Sequence, residues 1–251
     1  MAARKPLIAG NWKMHGRRAD LAEAKALEGA AGAALARVEV LICPPAPYIE
    51  AALAAVGASG VVVGAQDCSP VAPDAARTGE ISAGMLADVG ARYVIVGHSE
   101  RRTLLGETDD LVRQKAEAAQ AAGLAPIVCV GETQAQREAG QANAVVAAQV
   151  RASTPASAEG LVVAYEPVWA IGGSRTPTLE EIAEIHAIVR GELAARYGAA
   201  GGVRVLYGGS VNPKNAGQIF AVDGVDGALV GRACLKAADF SAIITAHPAA
   251  L

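Results

Sequence analysis

Short apolar runs recur along the chain, each followed by a stretch of helix-like sequence. They cover residues 7–11, 38–43, 61–65, 93–97, 126–130, 161–165, 203–207 and 228–230. Runs this short, rich in β-branched residues and lacking polar alternation, predict strands buried on both faces. Between them, residues 19–37, 109–122 and 179–197 read as helices. In the last of these, Ile182, Ile185, Val189 and Leu193 recur at helical spacing. Gly123 and Gly198 stand where helices end before the next strand. Strands alternating with helices demand right-handed parallel crossovers. Eight such units predict an α/β fold, a single closed (β/α)8 barrel domain over residues 1–251. An open doubly wound sheet is the weaker alternative, because no G-x-G-x-x-G follows the first strand.

Composition narrows the function classes. Of 251 residues, 52% are hydrophobic and only 4% aromatic, so a large core must be packed from Ala, Val, Leu and Ile. The net charge is −3 and no Lys/Arg run occurs, which gives no support to a nucleic-acid or membrane-surface partner. Four cysteines, Cys43, Cys68, Cys129 and Cys234, form no C-x-x-C pair. They read as small buried residues with reduced thiols rather than metal ligands or a disulfide framework. The first residues lack a signal-like apolar stretch, and no run approaches the roughly 20 apolar residues of a membrane helix. A cytoplasmic protein needing neither metal nor cofactor is expected.

The chemistry gathers at the ends of the predicted strands. Glu166 closes an apolar run, followed at once by Pro167 and by Val168-Trp169-Ala170-Ile171, which closes on Gly172-Gly173. That order suits a rigidly placed proton-abstracting carboxylate beside a lid that is stiff at one end and free at the other. The plainer reading is a solvated loop acid and a packed loop. Lys13, two residues past a strand and beside Asn11, is either a surface lysine or a fixed cation facing a negative reaction centre. His98 is either a structural histidine or a hydrogen-bond donor, kept neutral by the positive end of a helix opening at Ser99-Glu100. His15 in a loop and His186 in mid-helix read as non-catalytic, and His247 as solvated. The turns Gly208-Gly209-Ser210 and Gly231-Arg232 follow the last two strands, where barrels of this kind commonly grip phosphate with backbone N–H groups. An acid, an imidazole, a lysine and a phosphate grip on five strands suggest proton abstraction next to a carbonyl in a small phosphorylated substrate.

Asn11-Trp-Lys13-Met, Val96-Gly-His98-Ser-Glu100-Arg-Arg, Tyr165-Glu166-Pro-Val-Trp-Ala-Ile-Gly172 and Tyr207-Gly-Gly-Ser210-Val-Asn-Pro together resemble triosephosphate isomerases. The resemblance runs in family order from Gly10 to about Phe240. It implies the TIM barrel fold and interconversion of dihydroxyacetone phosphate and D-glyceraldehyde 3-phosphate. The implied roles are the family's own scheme rather than a reading of spacing. Glu166 moves the proton, neutral His98 polarises the carbonyl, Lys13 stabilises the enediolate and Asn11 orients the substrate. Backbone groups of Gly172, Ser210, Gly231 and Arg232 hold the phosphate. Glu100, Ser99, Cys129 and Glu132 are supporting residues. A homodimer is also implied, with Thr78 and Arg101 as contacts through the loop of residues 66–78. The chain departs from the family at Gly173-Ser174-Arg175, at Arg232, and in that loop, which is one residue longer and carries Arg77 in place of an aromatic. The hinge change implies altered opening kinetics rather than lost chemistry, while the changed loop and Arg232 keep open an isomerase of a four-carbon ketose phosphate. A barrel that binds a phosphometabolite without turnover is disfavoured by the intact base.

Overall fold

The computed structural model describes residues 5–171, 175–198 and 202–250. Eight parallel strands close into one barrel in chain order: β1 Leu7–Asn11, β2 Glu39–Cys43, β3 Val62–Ala65, β4 Tyr93–Val96, β5 Ala125–Val130, β6 Val162–Tyr165, β7 Arg204–Tyr207 and β8 Gly227–Val230. Around them run α1 Leu21–Ala31, α2 Ala34–Arg37, α3 Ile49–Val56, α4 Ala83–Asp88, α5 Ser99–Leu105, α6 Asp109–Ala121, α7 Gln134–Glu138, α8 Ala142–Ser153, α9 Leu179–Tyr197, α10 Ala216–Phe220 and α11 Ala237–Thr245. The single (β/α)8 barrel expected from the pattern is the architecture observed.

The uniform hydrophobicity of the strands follows from their two buried faces. Leu7, Leu41, Ile95, Ile127, Val162, Ala164, Leu206 and Leu229 fill the barrel interior. Their neighbours Ile8, Val40, Ile42, Val94, Val128, Val163 and Val205 pack outward in a second core that includes helix residues such as Val112, Val146, Ile185 and Ile243. Cys43 and Cys129 belong to the inner set, and all four cysteines are free and buried. No helix among the described residues is long and apolar enough to cross a membrane.

Two expectations need correction. The helix expected over residues 19–37 is interrupted: a 3-10 turn at Arg18–Asp20 precedes α1, and Gly32, at φ 47°, separates α1 from α2. Few L-residues tolerate that backbone, so a glycine there ends the helix. His247 is not solvated but 8% exposed, because Phe220 packs on its ring at 4.9 Å. Its Nδ1 accepts the Ala249 N–H at 3.1 Å, and burial lowers its pKa.

His186 is fully buried on α9, edge-on to Tyr165 at 6.0 Å. Its Nδ1–H donates to the Gly224 carbonyl at 3.1 Å and Nε2 has no partner among the described residues. Burial, only partly offset by that carbonyl, pushes the ring's pKa from 6.5 down to about 4. The folded state therefore excludes a proton that the unfolded chain binds. Stability from this residue is complete above pH 6.5 and drains away as pH falls towards about 4. The loss by pH 4.5 is expected to be about 2–3 kcal/mol. Urea unfolding at pH 7.5 and 4.5 tests it against His186→Phe, in which Arg190 still donates to the Gly224 carbonyl. The variant's stability should fall less with acid; an equal fall would place the lability elsewhere.

Candidate active site

The C-terminal ends of the strands bring the expected residues together. β6 delivers Glu166, only 2% exposed, with its backbone N–H bonded to the Val130 carbonyl at 2.7 Å. The carboxylate has two fixed partners: Oε2 accepts the Ser99 N–H at 2.8 Å, and Oε1 lies 2.8 Å from Nε2 of His98. His98 is itself 5% exposed and caps α5, its Nδ1 accepting the Glu100 N–H at 3.2 Å. An acceptor Nδ1 places the ring's proton on Nε2, pointing at Glu166.

Burial alone would raise the Glu166 carboxyl. The His98 ring and its hydrogen bond, the Ser99 N–H and Lys13 outweigh burial and hold its pKa below the ordinary value. Burial also pulls His98 down, but Glu166 outweighs it and the ring's pKa is raised. The helix end considered from the sequence is thus opposed, in the ligand-free protein, by a carboxylate 2.8 Å away. A ligand that draws Glu166 off the ring removes that opposition.

β1 ends in Asn11, whose Oδ1 accepts the Lys13 N–H at 2.9 Å. Lys13 Nζ reaches Glu100 Oε1 at 2.6 Å, which brings the β1 lysine to the helix that His98 opens. The last two strands close on the same place. A Cβ added to Gly208 would come within 2.8 Å of Glu166 Cγ, and one on Gly231 within 3.7 Å of Lys13 Cε. Ser210 is exposed, with its carbonyl accepting from Asn215 Nδ2 at 3.0 Å. Arg232 is exposed and opens the 3-10 turn Arg232–Leu235. Gly172, with its expected hinge neighbours Gly173 and Ser174, lies outside the described residues.

The supporting residues divide. Cys129 sits on β5 against Glu166, its thiol pushed up by burial and then by that carboxylate, and so neutral. Glu132 faces the lid instead. Its Oε1 accepts from Trp169 Nε1 at 2.8 Å, Tyr165 Oη at 3.1 Å and Arg137 at 3.2 Å. Arg137 and Arg175 lie 5.3 and 4.7 Å from the Trp169 ring, and both pair with Glu181. The buried Tyr207 hydroxyl has no partner among the described residues.

Thr78 lies in the exposed run of residues 72–80. Arg101 binds Asp67 at 2.7 Å and Glu107 at 2.6 Å, and Lys115 joins the same two acids. Sequence reasoning missed Gln66, Asp67, Glu107 and Lys115. One signal was present: Lys115 interrupts the apolar stripe Val112, Ala116, Ala119 of α6, where a lysine needs a buried counter-charge. A cavity of about 740 Å³ opens at the other end of the barrel beside Glu39, Arg92 and Tyr93, away from the base and the imidazole.

Comparison with known proteins bears on the family and the fold. The triosephosphate isomerase family profile matches residues 6–247. A triosephosphate isomerase from Afipia carboxidovorans is 58% identical over 97% of this chain and 98% of its own. One from Xanthobacter autotrophicus is 55% identical over 99% of each. The crystal structure of triosephosphate isomerase from Bartonella henselae superposes with a TM-score of 0.89 at 41% identity, covering 96% of this chain and 98% of that one.

Proposed function

Because the chain belongs to the triosephosphate isomerase family, we propose that Glu166, His98, Lys13 and Asn11 carry the family's reaction here. The enzyme interconverts dihydroxyacetone phosphate and D-glyceraldehyde 3-phosphate. Glu166 takes a proton from the carbon next to the carbonyl, and the C–H electrons move to the carbonyl oxygen to give an enediolate. Nε2–H of His98 donates to that oxygen and moves protons between the two oxygens. Glu166 then returns its proton to the neighbouring carbon. Lys13 stabilises the charge that develops. Backbone groups at Ser210, Gly231, Arg232 and Gly172 hold the phosphate. The observation that carries this assignment is the buried Glu166–His98 contact at 2.8 Å. A base and a proton donor already face one another, and a ligand entering between them meets both.

Substrate entry also retunes the pair. Drawn from His98, the carboxylate loses that hydrogen bond and becomes more basic, while the ring loses the neighbour that raises its pKa and stays neutral. The Val168–Ala170 turn, tethered by the Trp169 Nε1–H to Glu132, serves as the lid, and the Tyr207 hydroxyl beside Pro167 and Gly209, without a partner among the described residues, offers a contact when it closes. Closure keeps water from the enediolate and guards it against loss of phosphate.

A homodimer belongs to the same reading. Met14 at 95% exposure projects from the turn after β1, Leu104 at 77% and Leu105 at 64% from the end of α5, and Ile81 and Met85 follow the exposed run 72–80. Contact there by Thr78 and Arg101 completes the proposal. A cytoplasmic location rests on the four free cysteines.

One experiment covers substrate and assembly. Protein first weighed by light scattering, where twice the 25.3 kDa chain is expected, is assayed with glyceraldehyde 3-phosphate and with a four-carbon ketose phosphate. For the triose, kcat/KM should approach about 10⁸ M⁻¹s⁻¹, a range for which this family is itself a standard example. Better turnover of the four-carbon substrate would keep the mechanism and move the specificity to Arg232 and the loop of residues 66–78. A monomeric mass would remove the dimer.

A further inference from the structure

We infer that Gln66 is the positioning residue for Lys13, fixing the backbone that carries the cation. The inference rests on Lys13 acting in the reaction. Among the described residues, Lys13 is the one non-glycine residue at positive φ, 52°. An L-residue leaves that conformation unless its surroundings over-determine it. Two side-chain groups do so here. Asn11 Oδ1 holds the Lys13 N–H at 2.9 Å, and Gln66 Nε2 donates to the Lys13 carbonyl at 2.8 Å.

The same Nε2 donates to the Cys43 carbonyl, also at 2.8 Å. Cys43 is the last residue of β2, in register with Asn11 of β1, and its carbonyl also receives the Trp12 N–H at 3.1 Å. One amide nitrogen, with both of its protons used, therefore ties the Lys13 peptide to the end of the neighbouring strand. A hydroxyl or a lone carboxyl proton could satisfy only one of these carbonyls. The amide is itself delivered from a braced backbone, since the next residue, Asp67, is ion-paired to Arg101 and Lys115, each at 2.7 Å. Three strand ends thus converge on one peptide.

Without the amide, the Lys13 carbonyl is free to turn and φ relaxes to negative values. Nζ, at the far end of a four-carbon stem, then leaves Glu100 and the Glu166–His98 pair. Displacements of about 1 Å at such a group cost on the order of 10²-fold in rate.

The test compares wild type, Gln66→Met, Gln66→Glu, Lys13→Met and the Lys13→Met/Gln66→Met double variant, each checked for folding by thermal unfolding. Methionine keeps the length of the side chain and removes the donor. Glutamate, when protonated, keeps one of the two bonds. Gln66→Met is expected to lower kcat/KM about 10- to 100-fold, Gln66→Glu to recover part of that, and the double variant to be no worse than Lys13→Met alone.

The acid limb of the kcat/KM profile is the readout that a merely structural role would not move. The groups facing Glu166 are His98, the Ser99 N–H, Lys13 and Cys129. Lys13 helps to hold the carboxyl down, so its displacement in Gln66→Met should move the limb to higher pH. If Lys13→Met is nearly as active as wild type, the functional reading of Lys13 fails. If Lys13→Met is impaired while both Gln66 variants stay within about twofold of wild type, the positioning role alone is overturned. A loss of activity with an unmoved acid limb, or a double variant far below Lys13→Met, overturns it as well.

Discussion

Glu166→Gln is expected to lower kcat by roughly 10²- to 10⁴-fold while leaving KM within a few-fold of wild type. Glutamine fills the space of glutamate but cannot accept a proton from carbon. The substitution also exposes how tightly the site is specified. Oε2 accepts the Ser99 N–H and Oε1 faces the proton on His98 Nε2, so both positions require an acceptor. An amide supplies only one, and its NH2 must confront either the Ser99 N–H or the imidazole proton. His98 cannot simply shift its proton to Nδ1, because Nδ1 accepts the Glu100 N–H. The variant should therefore lose about 1 kcal/mol of stability along with its activity. Steady-state kinetics and urea unfolding on the same preparation separate the two effects. Turnover near wild type would remove Glu166 as the base.

The contact that makes this site legible as chemistry was not legible in the sequence as a contact. Glu166 and His98 each stood out because a polar group closed an apolar run, and in a barrel every strand ends at the same mouth. The eight strands were readable for a related reason: two buried faces leave no alternation to misread, and β-branched residues mark the run. What the pattern could not carry was distance. Lys115 meets Asp67 across 48 residues, and His247 packs against Phe220 of α10, distant in sequence. The break between α1 and α2 was hidden in an alanine-rich stretch whose local preferences favour one continuous helix. Gln66 carried the same signal as Glu166, a polar residue directly after a buried strand. Its amide nonetheless makes only backbone contacts, which no residue pattern announces.

Gly131→Ala is expected to unfold the site from beneath, a consequence of close approach that no pattern of hydrophobicity reveals. Gly131 leaves β5 where β6 hands over Glu166, and an added Cβ would lie 1.7 Å from the Glu166 carbonyl oxygen and 2.6 Å from its carbon. Both atoms are backbone, so no side-chain rotation relieves the clash. Relief requires opening the β5–β6 pairing at Val130 and Tyr165, just where the Glu166 N–H is bonded to the Val130 carbonyl. The Gln149 amide grips the Gly131 peptide from the other side, accepting its N–H at 2.7 Å and donating to its carbonyl at 3.2 Å, so the glycine cannot retreat without breaking those bonds. Overpacking of this kind costs about 3 kcal/mol or more. Any displacement of Glu166 by about 1 Å should lower kcat/KM on the order of 10²-fold in the protein that remains folded. The matched comparison is Gly29→Ala in α1, where an added Cβ meets nothing within 4 Å and alanine should stabilise the helix by about 0.5–1 kcal/mol. Urea unfolding and kinetics of the two variants should therefore move in opposite directions in stability, with activity lost only in the first. Equal stability of Gly131→Ala and wild type would mean that the β5–β6 junction yields without cost, and that the placement of Glu166 is set by His98 and the Ser99 N–H alone.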